Sequence, residues 1–538
     1  MSLSANPQPD LFKGTEAVAL ALPKSSIYQL LNERGGELFP ESLFHDLYES
    51  RGRDCVPVRV LATVAVLQRF LGRSDREAVE ALQFDLRWRH ACGLTVDCGG
   101  FHPTVLVGFR ARLAKSMKPK RIFEVVLDLA KSAGKIGRRR VVDSTALYDA
   151  VSTMDTVTLV RNGICGVFRA LRDCDGAAQS RFQGVTKRDD DYASPGKPSC
   201  ADWDDKQARS DLIDALARDG YAITAAGNDG SWSAPLRDAL VLLGTLLGQD
   251  IEEKGERFVL IQGVASDRII STIDTEARHG HKTSSKGFDG YKGHVAIDPD
   301  SELVTATDVT PGNAKDASVV TSLLADVLSQ PEATVSDAPM ALDSAASTPS
   351  EAERPEVYGD AGYGDAETLD RLTEAGIDAY IHVPAPVGRE GCYSKDAFAI
   401  DLAASTVTCP AGRTVPIQTR PSGQWADFGT HCRDCPLRDA CTKAKSAGRQ
   451  INIHAKEATL ARGRALHRAP GRRAKYNQTR PRVERKNAHL MRHRHGGRRS
   501  RMIGIEKTAL DFSTLAAAHN LARLGVLFAK DAASQRAA

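Results

Sequence analysis

Apolar residues recur at helical spacing through the first part of the chain and then give way to short apolar runs that end in acids. Val60, Leu61, Val64, Leu67 and Leu71 form the stripe of one helix, with Pro57 at its first turn and Gly72 past its end. Ser74, followed three residues later by Glu77, predicts a capping box that opens a further helix carrying Val79, Leu82, Leu86 and Trp88. Ser26 predicts the cap of an earlier helix through Leu31, and a helix from Thr104 adds Arg110, Arg112 and Lys115. Two helices joined by a short turn containing glycine read either as a helix-turn-helix that meets DNA or as a plain packing unit.

After Arg138-Arg139-Arg140 the period changes. The run VVDST suits a buried strand ending at Asp143, and EVYGDAGYG predicts another ending at Asp360, followed by a helix capped by Asp365. GHVAIDP at 293–299 and LVTATDV at 303–309 predict a hairpin turning near Asp300 and Ser301, then a helix with Val319, Val320, Leu323, Leu324 and Val327. AYIHVPA at 379–385 is a further strand candidate. The expected class is α/β: a helical domain at 21–135 precedes a domain of mixed strands and helices at 136–530, between tails at 1–20 and 531–538. Three segments are expected as insertions: 150–256, mixed and partly helical; 331–356, a linker rich in Ala, Ser, Pro and acids; and 388–470, holding a cysteine cluster and basic residues.

The chain has 538 residues, 42% hydrophobic and 26% charged, which is ordinary globular composition. No apolar run approaches the ~18 residues that span a bilayer, and the start lacks a basic region followed by an apolar core. These features predict a soluble cytoplasmic protein with no membrane partner. Charge distribution says more than its total. Arg462 to Arg501 holds fifteen lysines and arginines and one acid, Glu484, so this stretch carries +14 and the remainder of a chain totalling +4 carries −10. Such segregation reads as an anionic polymer partner or as a solvated basic run.

An acid ending a strand is commonly a turn or cap residue, but a carboxylate held there can also meet a divalent metal and a phosphate. Glu484 stands at four-residue steps from Tyr476 and Arg480, so the three share a helical face; an ion pair with Arg480 is the plain alternative. With VVDST, the run RHGHKTSSKGFDGYKGHVAIDPDSELVTATDVTPGN at 278–313, VYGDAGYG and YNQTRPRVERK at 476–486, the chain resembles the DDE transposases of bacterial insertion sequences. The likeness extends to FHPTVLVGFRARL in the helical N-terminal part.

That resemblance implies an RNase H-like mixed sheet as the core of a catalytic domain at 136–530, preceded by a helical DNA-binding domain at 21–135. It implies Asp143, Asp360 and Glu484 as a catalytic triad holding two Mg²⁺ or Mn²⁺ ions, with Tyr476 and Arg480 in support. It further implies binding to the inverted-repeat ends of an element and to target DNA, as a homodimer associated with the nucleoid. A basic residue often stands seven positions after the glutamate in this family; here Met491 does, with Arg492 beside it. Two Mg²⁺ ions ~3.5–4 Å apart activate a nucleophile and relieve charge on the leaving oxygen, and carboxylates suit that hard cation. The rivals are a non-enzymatic DNA-binding protein and a metal-dependent nuclease of the same fold.

Lys282, Lys286, Lys292 and His294 flank the strand at Gly293, and Lys292 and His294, two apart, share one strand face. Together with Arg472, Arg473 and Arg482, these lysines are the candidates for DNA contact. His279 and His281 have no partner in the sequence that would make a metal site. Cys409, Cys432, Cys435 and Cys441 include a C-x-x-C pair, and four thiolates suit one closed structural zinc site; reduced thiols or redox chemistry are the alternatives. Cysteines 55, 92, 98, 165, 174, 200 and 392 form no comparable cluster.

Overall fold

A computed structural model describes residues 14–49, 55–228, 230–283, 285–329, 354–386, 388, 390–421, 423–492 and 495–537. Seven helices lead the described chain: Gly14–Ala21, Ile27–Leu38, Val58–Leu71, Asp75–Phe84, Leu86–Cys92, Thr104–Lys115 and Arg121–Ser132. Gly72 ends the third with φ +66, a left-handed conformation that glycine adopts without strain. Ser74 and Glu77 form both halves of the capping box. The helix expected to run on through Trp88 breaks instead at Asp85, whose carboxylate accepts from the Arg87 N–H at 2.9 Å and caps a separate helix.

Strand β1 (Arg139–Tyr148) lies inside a mixed six-stranded sheet. It does not end at Asp143 as the apolar run suggested, because an antiparallel partner accompanies it from Val141 to Tyr148. The insertion that follows is mainly helical, with Thr156–Leu171, Gly176–Phe182, Lys206–Gly227, Ala234–Asp250 and a hairpin of β2 (Ile251–Lys254) and β3 (Arg257–Leu260). It has its own core, including Ile164, Val167, Leu216, Leu243 and Leu247.

The chain returns to the main sheet with β4 (Arg278–Thr283), β5 (Lys286–Ile297) and β6 (Val304–Pro311). The hairpin expected near Asp300 joins β5 to β6, but β5 starts well before its apolar run and pairs there with β4. Gly290 marks the change of partner: its φ is +137, and a Cβ there would lie 2.3 Å from the Leu147 carbonyl oxygen. The helix expected over Val319–Val327 is a 3-10 turn, Asp316–Val319, and two four-residue helices. Most of the expected linker at 331–356 falls outside the described residues, and its last residue, Glu356, already begins β7 (Glu356–Gly359). β7 runs parallel to β1, and β8 (Asp378–Ile381) runs parallel to β7. A second sheet of β9 (Ala399–Asp401), β10 (Thr406–Thr408), β11 (Thr414–Arg420), β12 (Gly423–Asp427) and β13 (Gln450–Ile453) follows.

Alternation along β1 divides the interior into two cores. Val141 joins a core with the N-terminal helices, Val483, Leu490 and Leu515, whereas Val142 joins Ala296, Val319, Val357, Tyr363 and Leu369 on the opposite side. The C-terminal helix Ile505–Ala537 includes the segment expected as a tail from 531 onward. Its Asn520, fully buried, both donates to and accepts from the Val304 backbone at 2.7 and 2.8 Å, which satisfies part of the β6 edge. Its Asp511 pairs with Arg69 at 3.0 Å, both buried, so the N-terminal helices and the C-terminal helix are locked into one body.

Candidate active site

β1 and β7 pair as Arg139–Glu356, Arg140–Val357 and Val141–Tyr358. Two residues further along the same parallel register, Asp143 stands opposite Asp360. β7 stops at Gly359, so β1 loses its neighbour on that side and the two acids sit at a gap in the sheet. Asp360 leaves the strand as the cap of a one-turn 3-10 helix, Ala361–Tyr363, accepting from the Gly362 N–H at 3.0 Å.

The helical steps expected from Tyr476 through Glu484 are interrupted at Pro481. Pro470–Thr479 ends there and Pro481–Leu490 begins, with Arg480 between them still in helical conformation, so the face is preserved across the joint. Arg480 is the residue that ties the site together. One Nη donates to Asp143 at 2.7 Å and to Asp360 at 3.4 Å, and the other donates to the Val142 carbonyl at 3.0 Å. Burial works against its charge, but Asp143 and then Asp360 outweigh it, and the guanidinium holds its proton more tightly than usual. Burial raises the pKa of Asp360; Arg480 opposes that rise while Asp143 and Asp316 add to it. Arg480 is thus the cation shared by the two strand-end acids.

An open cleft of about 630 Å³ is lined by Asp143, Asp360 and Glu484, and Arg480 also faces it. Glu484 is exposed, in the first turn of its helix. Tyr476 lies outside the lining, half-buried, with its ring centroid 5.1 Å from that of His467, and burial pushes its phenol pKa up. Two further side chains belong to the site and were not singled out from sequence. Asn487, one turn beyond Glu484, donates to Asp143 at 2.7 Å, while its own Oδ1 is buried with no hydrogen-bond partner. The same helical-step argument that found Glu484 reaches Asn487, at i+7 from Arg480. Asp316, in the turn after β6, is a fourth acid on the cleft, and no strand-end pattern marks it.

The basic candidates divide. Lys282, Lys286 and Arg473 are exposed, and Lys282 lines the cleft. Lys292 is drawn inward to Asp316 at 2.8 Å and to the Ala314 carbonyl, and His294 is fully buried between Tyr363 and Thr310. His294 is packed inside the fold, whereas Lys292, half-buried, lines the cleft with its charge paired to Asp316. Arg472 lies over the Tyr380 ring and donates to the Ala379 carbonyl, and Arg482 is tied to the Pro299 carbonyl and Asp300. Among the described residues between Arg462 and Arg501, Arg464, Arg468, Arg472, Lys475, Arg480, Arg482 and Arg485 pair with acids elsewhere in the fold. Much of the charge segregation along the sequence is therefore cancelled in space. Met491 is buried against the cleft, and exposed Arg498 supplies a cation on the same rim.

Cys409, Cys432, Cys435 and Cys441 all line one cavity of about 20 Å³ beside the second sheet. Burial and the neighbouring thiols, Cys432 foremost, push the Cys441 pKa up, and no disulfide links any described cysteine. Among the described residues no group of three or more His, Cys, Asp or Glu side chains stands in an arrangement that could hold a metal ion. No described helix is long and apolar enough to cross a membrane.

Residues 408–525, which include the Cys432–Cys435 pair, Arg480, Glu484 and most of the C-terminal helix, match the family model described as a transposase DDE domain. Residues 21–112 match a second model, described as a transposase domain. No curated protein and no solved structure matches the chain. Two matches in separate parts of the sequence, both to transposase domains, thus make the chain similar to the DDE transposases of insertion elements.

Proposed function

We propose that the protein binds the inverted-repeat ends of its element, cuts the DNA strand there and joins the freed 3′ ends to target DNA. Asp143, Asp360 and Glu484 are the acids of an RNase H-like core in this reading. The observation that carries it is the convergence of Asp143 and Glu484, 341 positions apart, with Asp360 on one cleft. A protein that only bound DNA would have no use for that concentration of carboxylates beside a basic rim.

The donor set suits divalent cations in its chemistry: the carboxylate oxygens are hard, and Asn487 keeps an unused buried oxygen nearby. Asp143, Asp360 and Glu484 would hold two Mg²⁺ or Mn²⁺ ions, which when bound supply an activated nucleophile and stabilise the leaving oxygen. Asn487 fixes the Asp143 carboxylate, and Arg480 is placed to exchange its contact with Asp360 for a phosphate oxygen. Lys282, Lys286, Arg473 and Arg498 are the exposed cations proposed to meet the DNA backbone. The four-cysteine cavity, atom-sized and lined by thiols, fits one structural zinc ion.

Purified protein incubated with Mg²⁺ and DNA carrying the element ends, resolved on a denaturing gel, tests this reading. Cut and joined products are expected. Cutting without joining would make the protein a nuclease, and binding without cutting would make it a DNA-binding protein alone.

A further inference from the structure

Asp316 is the acid of the cleft that the reading above leaves without a role. Its carboxylate accepts from Ser144 Oγ at 2.8 Å and from Lys292 Nζ at 2.8 Å. Ser144 follows Asp143 on β1 and lines the same cleft, so Asp316 holds the strand at the residue next to the acid. The same carboxylate packs on Gly362, the middle residue of the turn that begins at Asp360. A Cβ on Gly362 would lie 2.8 Å from Asp316 Oδ2 and 3.2 Å from its Cβ, closer than side chains approach. A second tie lies alongside, where Tyr363 of that turn meets buried His294 at 3.0 Å, two residues along β5 from Lys292. The Asp360 turn has only one residue between the end of its strand and its helical turn, so its placement depends on what holds that turn from outside.

We infer that Asp316 is a positioning residue, which clamps the Asp360 turn against β1 and β5 and so fixes the spacing of the Asp143 and Asp360 carboxylates for divalent metal. The inference rests on the proposed roles of those two acids. Partners behind metal ligands typically contribute about 10–100-fold in metal affinity.

The test uses the full chain and two variants of the clamp. Asp316→Asn removes the charge that holds Lys292, and Gly362→Ala wedges the contact apart while leaving every charge in place. Mn²⁺ binding is measured by calorimetry without DNA, and cleavage is measured across a Mn²⁺ titration. Each variant is expected to bind Mn²⁺ about 10–100-fold more weakly. Each should bind DNA within about twofold of wild type and recover most of its cleavage rate at high Mn²⁺, which a general loss of structure would not allow. Should Asp316→Asn fail to fold, Gly362→Ala decides. Wild-type Mn²⁺ affinity in the folded variants, with binding abolished by Asp360→Asn, overturns the inference and leaves the active-site reading intact. Wild-type Mn²⁺ binding and cleavage by Asp360→Asn overturns that reading, and the inference with it.

Discussion

The carboxylate cleft and the cysteine cavity are both built from residues suited to metal, and they differ in every physical respect that separates catalysis from structure. The cleft is about 630 Å³ and open, and its acids come from three distant parts of the chain. The cavity is about 20 Å³, and its four thiols fall between Cys409 and Cys441, beside a small sheet whose own core contains Phe398, Val407, Phe428 and Ile451. A structural metal site is closed by its protein ligands, whereas a catalytic one keeps a position open for substrate. The cleft can admit a polymer backbone; the cavity has room for about one small atom. The first depends on the whole fold for its geometry, the second only on its own module.

That contrast is broken or sharpened by changing one side at a time. The largest effect is expected at the cleft: Asp143→Asn and Asp360→Asn should each lower strand cleavage by at least about 10³-fold, roughly 4 kcal/mol of transition-state stabilisation, with DNA affinity little changed in gel-shift assays. Arg480→Gln removes the shared counter-ion of both acids and should cost about 10–100-fold in cleavage. The same substitution should tighten Mn²⁺ binding measured by calorimetry, since a competing cation has gone. Cys435→Ser should lose the zinc detected by elemental analysis and loosen residues 391–443 to proteolysis, with cleavage by the intact chain changed less than about threefold. A loss of cleavage as deep as that at Asp143 would erase the distinction between the two sites. The smallest effect is expected from Asp365→Ala, which removes a helix cap whose carboxylate accepts from the Thr368 N–H at 2.8 Å; about 1 kcal/mol in urea unfolding and no change in cleavage should follow.

Local signals were the legible ones. The capping box at Ser74, the stop at Gly72, the β5–β6 hairpin and the shared face of Arg480 and Glu484 all follow from spacing over a few residues, and each is present. What spacing could not show is pairing between distant segments. Asp143 lies mid-strand because β5 runs beside it, and Lys292 and His294 are engaged because Asp316 and Tyr363 wait there. Arg472 and Arg482 read as DNA contacts only until Asp378, Tyr380 and Asp300 are brought against them. Asp298, just before the turn expected near Asp300 and Ser301, is almost wholly buried and accepts from the Gly137, Asp300 and Ser301 N–H groups, so it braces the β5–β6 turn and would not tolerate loss of an acceptor. A charge pattern along the chain describes a surface only after the fold has subtracted its internal pairs.

Glu484 carries the sharpest test, because it is exposed and stands 341 positions from Asp143 in the chain. Glu484→Gln keeps its size and hydrogen bonding and deletes one charge. Incubated with Mg²⁺ and DNA ends, this protein should bind the DNA as wild type does and yield neither cut nor joined strands on a denaturing gel. Cleavage at near wild-type rate by Glu484→Gln would contradict the assignment of the three acids to one catalytic site.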